Sequence, residues 1–282
     1  MSSSLKIKIL LLPCITVLLA SCVNLKHVGK FSETSIEGIE KYETISPGFS
    51  KVCLQDCQQT YIRKLQIHNT DCDCSQNQKA DSITQVIYNA TKGYFYGLSH
   101  LSQNELTNYK TDDFTEALAT GDFGPITLNE ADVKAYSDVS TLVLRAFTDG
   151  FRRKKIKEYV AQAHGPLLKL LHFLELNLTG NLKGKLEVQK SSLKNFYFDF
   201  IRDKKLSVYE RTKFAEDYFQ RITEIDKQQN ELETFIKILR EVAEAHTLLY
   251  NNVSNMSTEE VKKELAGYGR QMNKTISSLR RM

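Results

Sequence analysis

The chain has 282 residues, 41% of them hydrophobic, with 14 Phe and 13 Tyr but no Trp. That is enough apolar material for a core, and a net charge of only +4 excludes the strongly basic face of a nucleic-acid binder. Only 4 Pro and 13 Gly argue against an all-β sandwich or barrel, which needs many turns.

The N-terminus carries Lys6 and Lys8, then an apolar stretch from Ile9 to Ala20 that ends in Leu19-Ala20-Ser21-Cys22. The stretch falls short of the roughly 20 apolar residues that a spanning helix takes. It has instead the length and small-residue exit of a signal-peptide core. An ordinary secretory signal is the plainer reading. The whole segment resembles the signal of bacterial lipoproteins, whose lipobox ends in a cysteine that is diacylated and becomes the mature N-terminus. The resemblance covers residues 1–22 only. It implies a signal peptide over 1–21, a lipid on Cys22 and an exported chain held to a membrane by that lipid. Val23 stands where some bacteria read an Asp as an inner-membrane retention signal, so the resemblance leans towards the outer membrane.

Residues 22–45 show little core-forming pattern beyond Ile36, Ile39 and Tyr42, and read as a tether ending in a short helix. A bundle domain is expected over 46–282, with sub-halves 46–126 and 127–282. Ser46-Pro47 reads as a helix start, with Pro at the first helical position. Phe49, Val52, Cys53, Cys57, Tyr61, Ile62 and Leu65 follow at helical spacing, and His68 to Asn77 is a polar turn. A second helix is expected from about Lys79, with Ile83, Val86, Ile87, Ala90, Tyr94, Leu98 and Leu101 on one face. Asn104 to Ile126 is polar, with at most a helical turn around Phe114 to Leu118.

Thr127 to Glu130 has the pattern of a capping box. The helix it opens carries apolar residues to Ala163, where Gly165-Pro166 should break or kink it. Leu167, Leu170, Leu171, Leu174 and Leu178 resume the spacing until Gly180 and Gly184 stop it. Leu193, Phe196, Tyr197, Phe200 and Ile201 form a further helical face, favoured over the strand that the alternating Phe196, Phe198 and Phe200 could suggest. Tyr218, Ile222, Ile225, Gln229, Leu232, Ile236, Leu239, Ala243, His246, Tyr250 and Val253 then step by four and three, a heptad seam over 36 residues or about 54 Å. Ser257 with Glu260 opens the last helix. The capped helix from Thr127 and this last helix are the expected covers of the seam.

Four cysteines, Cys53, Cys57, Cys72 and Cys74, fall within one predicted hairpin. In an exported chain they read as two disulfides, with nested pairing (Cys53 with Cys74, Cys57 with Cys72) preferred and crossed pairing close behind. Zinc is the weaker reading, because C-x-C does not match the usual spacing in structural zinc sites. Asp71, Asp73, Ser75 and Asn77 mimic a calcium loop. Gln76 replaces its turn glycine and Ser82 its closing glutamate.

His164 and His172 lie eight residues apart across the Pro166 break, with Glu175 one turn beyond His172. A metal site is conceivable there, but no H-E-x-x-H and no further ligand at defined spacing accompanies them, and ordinary partly buried histidines are the favoured reading. His246 and Gln229 interrupt the seam, where polar residues set register; a seam histidine could also titrate near neutral pH. Arg152, Arg153, Lys154 and Lys155 form the sharpest charge run, a candidate contact for anionic headgroups and otherwise a solvated face. Gly267-Tyr268-Gly269 lacks the rest of a dinucleotide fingerprint, and no P-loop, G-x-S-x-G or C-x-x-C-H occurs.

The expectation is therefore an all-α, elongated antiparallel bundle of five to seven helices with a disulfide-stapled helical hairpin near its N-terminus. Its expected role is non-enzymatic: a lipid-anchored envelope protein that binds a protein partner or scaffolds, with no cofactor and no nucleic acid. The alternative is a small-ligand or metal-binding bundle, with the ligand held near Leu167 to Glu175.

Overall fold

The computed structural model describes residues 25–45, 48–66, 68, 71–103, 118–148 and 155–281. Helix α1 spans Lys26–Ile39 and runs into a 3-10 turn, Glu40–Thr44; α2 spans Phe49–Arg63 and α3 Ser75–Gln103. A small antiparallel hairpin pairs β1 (Gly121–Phe123) with β2 (Ile126–Leu128). Then come α4 (Glu130–Thr148), α5 (Ile156–Leu176), a π-helical stretch (Asn177–Lys183), α6 (Gly184–Arg202), α7 (Val208–Asn251) and α8 (Glu259–Leu279). Because α5, the π stretch and α6 form one unbroken rod, the described chain is seven rods and one short hairpin. The all-α antiparallel bundle is what the periodicity predicts.

The segment expected to be a tether is instead part of the core. Val28, Phe31 and Ile39 of α1 are buried, and so are Gly29, Ser32, Thr34, Ser35 and Gly38. Small residues let α1 lie close to its neighbours. A Cβ on Gly38 would fall 2.7 Å from Cγ2 of Ile238 in α7. The hydroxyls of Ser32, Thr34 and Ser35 donate to carbonyls four residues back, so their burial leaves no donor unpaired.

Helix α2 begins at Phe49, and Ser46 and Pro47 lie outside the described residues, as do 1–24, 104–117 and 149–154. Its first free N–H groups are capped from a distance: both Phe49 and Ser50 donate to the carboxylate of Asp81 on α3, at 2.7 and 2.9 Å. The expected capping box at Thr127 falls two residues early. Asn129 and Asp132 exchange the side-chain-to-backbone bonds, while Thr127 sits in β2 and donates to Asp122. Likewise Thr258, not Ser257, caps α8.

Neither Gly165-Pro166 nor Gly180 and Gly184 ends a helix. Pro166 lies inside α5, where its missing N–H costs one bond of many. The π stretch follows from the leucines. Leu174, Leu178, Leu182 and Leu186 recur every four residues, and at the α-helical pitch such a row drifts by about 40° per step. A wider i→i+5 turn brings the row back into line, and all four are at most 1% exposed.

This rod runs antiparallel to α7. Glu175 meets Arg240, Lys183 meets Glu233, Glu187 meets Gln229, Lys190 meets Asp226, and Tyr197 meets Asp217. The numbers rise on one helix as they fall on the other, which fixes register along the whole pair. Helix α7 is 44 residues, about 66 Å, and starts ten residues before the predicted seam behind a capping box of Ser207 and Glu210.

Its seam is covered within the chain. Helices α8, α5, α6 and α1 pack on it; the helix expected from Thr127 to Ala163 spans two helices, of which α5 covers the seam as expected while α4 packs on α3 and α5. Phe235, Ile238, Val242, Ala245 and Leu249 are buried as well as the seam residues Leu232, Ile236, Leu239 and His246, so the middle and second half of α7 are enclosed on several sides. Glu241, 2% exposed, accepts from Gln271 and Thr275 of α8 and keys those two helices together.

Candidate functional site

The cysteines pair as the preferred nesting predicts, Cys53 with Cys74 and Cys57 with Cys72, each with Cα atoms 5.9 Å apart. They staple α2 to the start of α3. The calcium-like oxygens beside them are otherwise engaged. Asp73 accepts from Ser75, the backbone oxygen of Asp71 accepts from Tyr61, and Asn77 donates to the carbonyl of Phe49. Among the described residues no three His, Cys, Asp or Glu side chains are placed to share a metal ion.

The histidines are arranged differently from the sequence expectation. His172 is exposed, and Glu175 pairs with Arg240. His164 turns instead to α7, stacking on Tyr250 at 3.9 Å between ring centroids and placing Nδ1 3.3 Å from Nδ1 of His246. The two imidazoles lie 5.5 Å apart, 12° from parallel, as for coplanar rings bonded edge to edge. Nε2 of His246 is 2.8 Å from the hydroxyl of Tyr94, which stacks on Tyr159.

With both nitrogens bonded, a neutral His246 donates from one and accepts at the other. Taking the Tyr94 hydroxyl as donor to Nε2 makes Nδ1–H the donor to His164. The result is a line of hydrogen bonds from a buried phenol towards the surface. Burial, with His164 alongside, pushes His246 down to about 3, and burial holds Tyr94 well above its usual value. Both groups are therefore neutral at pH 7, and the expectation that a seam histidine could titrate near neutrality is overturned. At that pH the line is a polar lock joining α3, α5 and α7.

Two ends of the molecule differ in character. At one, which we call the base, His27 at the start of α1 bonds the carbonyl of Met256 at 2.6 Å, and Lys157 at the start of α5 donates to the carbonyl of Ser254 at 2.9 Å. Of the basic run, Lys155 sits here at the N-cap of α5; Arg152, Arg153 and Lys154 lie outside the described residues, as does Cys22.

At the other end, the tip, the bundle thins to the α6–α7 hairpin and the end of α2, joined where Arg221 donates to Gln59 and Arg63 covers the ring of Phe196. Exposed apolar side chains collect here: Ile62, Leu65, Phe198, Ile201, Val208, Tyr209 and Phe219. Leu65 is the sharpest of them. It holds φ +53°, and the bonds Gln66 N–H to Tyr61 O and Leu65 N–H to Ile62 O make it the left-handed residue of a Schellman motif. Glycine is the usual occupant of that position; here a leucine, 86% exposed, stands in it.

The region expected to hold a ligand is filled by protein, since Leu167, Leu170, Leu171 and Leu174 are core side chains at most 2% exposed. The tip has a weak signature in the sequence, because Leu65 and Ile201 fit the apolar spacing of a helix face although both are exposed. Compared with known proteins, the chain matches no described family, no curated protein and no solved structure.

Proposed function

We propose that this protein is a lipid-anchored, non-enzymatic post of the bacterial cell envelope whose tip binds a protein partner. The observation that carries the reading is Leu65. An apolar side chain in a left-handed backbone costs roughly 1–2 kcal/mol and gains nothing from burial here, so its contribution lies outside the isolated fold. The flanking residues suit a protein surface. Apolar and aromatic side chains stand among mixed charges, with Arg202 over Phe198 and Lys213 over Tyr209.

Orientation supports the same reading. Cys22 precedes Leu25 by three residues in sequence, and the start of α1 stands at the base with Lys155 and Lys157. Anionic headgroups would meet those cations. The tip then stands about 66 Å away, the length of α7, facing away from the membrane. Among the described residues no helix is long and apolar enough to cross a membrane, so the lipid is the anchor in this reading.

The test is crosslinking in cells with tagged full-length wild type, Leu65→Gly and Tyr209→Asp. Leu65→Gly relieves the backbone, so it should stabilise the fold by about 1 kcal/mol while weakening recovery of the partner at least tenfold. Tyr209→Asp should act on recovery alone. Equal recovery by all three, or no protein recovered by any, refutes the tip. Cys22→Ser should lose lipid labelling and membrane partitioning; unchanged partitioning refutes the anchor.

A further inference from the structure

Between α2 and the α6–α7 pair, on the base side of the tip, lies a cleft of about 210 Å³. Its polar wall is made largely of amides: Gln55, Gln58, Gln59, Gln189 and Gln228. Three of these have an amide atom buried without a hydrogen-bonding partner in the protein: Nε2 of Gln59, and Oε1 of Gln189 and Gln228. Gln59 is 5% exposed and Gln228 only 1%. Folding rarely leaves such atoms unmatched, since each costs roughly 1–3 kcal/mol, and three around one cleft call for a common explanation.

We propose that the cleft is a binding site for a small, uncharged, hydroxyl-rich ring, a neutral saccharide of one sugar unit. The atoms that lack partners are all on neutral amides. Arg221 is engaged with Asp217 and Gln59, and Glu224 is exposed to water and accepts from Gln228, so the unmet need in the cleft is for hydrogen bonds and not for a buried counterion. The unmatched atoms are one donor and two acceptors. A sugar hydroxyl both donates and accepts, so neighbouring hydroxyls on one ring match that set, after small amide rotations that turn the atoms into the cleft. Ile62, Leu193 and Ile225 supply the apolar wall against which the C–H face of a pyranose packs.

Two of the three are already fixed at their other end. The Gln59 oxygen accepts from Arg221, and the Gln228 amide donates to Glu224 at 3.1 Å. Gln59 and Gln228 therefore each have one end anchored to the protein and the other left for a ligand. The disulfides hold α2, which carries Gln55, Gln58 and Gln59, against α3, so this wall of the cleft is set before any ligand arrives.

Calorimetric titration of the full-length protein with D-glucose, D-galactose and N-acetyl-D-glucosamine, and with acetamide as a small neutral amide, tests the assignment. At least one sugar should bind with millimolar affinity. Gln228→Met and Gln189→Met keep the side-chain length and remove the amide, and each should weaken that binding at least tenfold. The ligand-free melting temperature should stay the same or rise, because an unmatched polar atom has been removed. Gln189 is only partly buried, so its variant keeps the test open if Gln228→Met fails to fold. No sugar binding at 50 mM, unchanged affinity in the folded variants, or binding of acetamide in place of every sugar would overturn the proposal.

Discussion

His246 gives the most direct test of the buried polar lock. In the unfolded chain an imidazole titrates at about 6.5, and in the fold this one is pushed down to about 3. Between those values the unfolded state binds a proton that the folded state refuses, so stability falls as the pH drops through that window. From pH 6.5 to pH 5 the loss is 1.5 pH units at about 1.4 kcal/mol each, or about 2 kcal/mol from this one ring.

Carboxylates in ion pairs also lose stability on acidification, so the contribution of His246 is read as a difference between two proteins. His246→Leu leaves the Tyr94 hydroxyl and Nδ1 of His164 without their partner and should cost about 1–3 kcal/mol at pH 7. It also removes the titration. Urea unfolding of both proteins at pH 7, 6 and 5 should therefore show the stability gap closing by about 2 kcal/mol. A gap that stays constant over that range would refute the assignment of a neutral, acid-resistant His246.

Three further outcomes follow from packing. Bridges closing 21 and 15 residues should each contribute about 3 kcal/mol, seen on replacing either cysteine pair by alanine; because one loop lies inside the other, replacing both pairs should cost less than the sum. Leu239, 1% exposed in a seam that the chain covers itself, should cost about 2–5 kcal/mol as Leu239→Ala. Wild type and variant should both sediment as monomers over a hundredfold concentration range. In Gly97→Ala the new methyl falls 2.3 Å from the Tyr159 hydroxyl, which donates to the carbonyl of Tyr94; a loss of about 2–4 kcal/mol, partly recovered by adding Tyr159→Phe, should appear in thermal unfolding.

The sequence made the long-range order of this fold legible where the signal is periodic. The heptad pattern of α7 leads to the observed helix, and the four cysteines on one predicted hairpin lead to two bridges whose nested pairing, preferred over crossed, follows from how an antiparallel hairpin closes. Helix α1 was illegible for the opposite reason. Much of its buried face is glycine, serine and threonine between Val28, Phe31, Ile36 and Ile39, and the value of those small residues is closeness to a neighbour and not hydrophobicity. Pro166, Gly180 and Gly184 mislead because a local preference of a few kcal/mol yields to the apolar row that continues across them. Asp81 caps α2 from 32 residues away, and no nearby residue records it. Of the candidate sites, single residues were visible and their partners were not. His164 and His246 both stand out by type, but only the packing of α5 on α7 joins them to each other and to Tyr94. The glutamines of the cleft carry no pattern at all until three helices bring them together.

The unequal thickness of the bundle has a consequence for motion. The base half of α7 is packed by α1, α5 and α8, which share one enclosed core with α3 and α4, whereas among the described residues the first turns of α7 have α6 and the end of α2 for company. Local opening is cheapest where the fewest apolar contacts must be given up, so amide exchange should be fastest at the tip and slowest near Leu239 and Val242. A partner that pulls on the tip would fray the last turns of a two-helix hairpin while the far end of the same helix stays locked, making α7 a fuse with one soft end and one hard one.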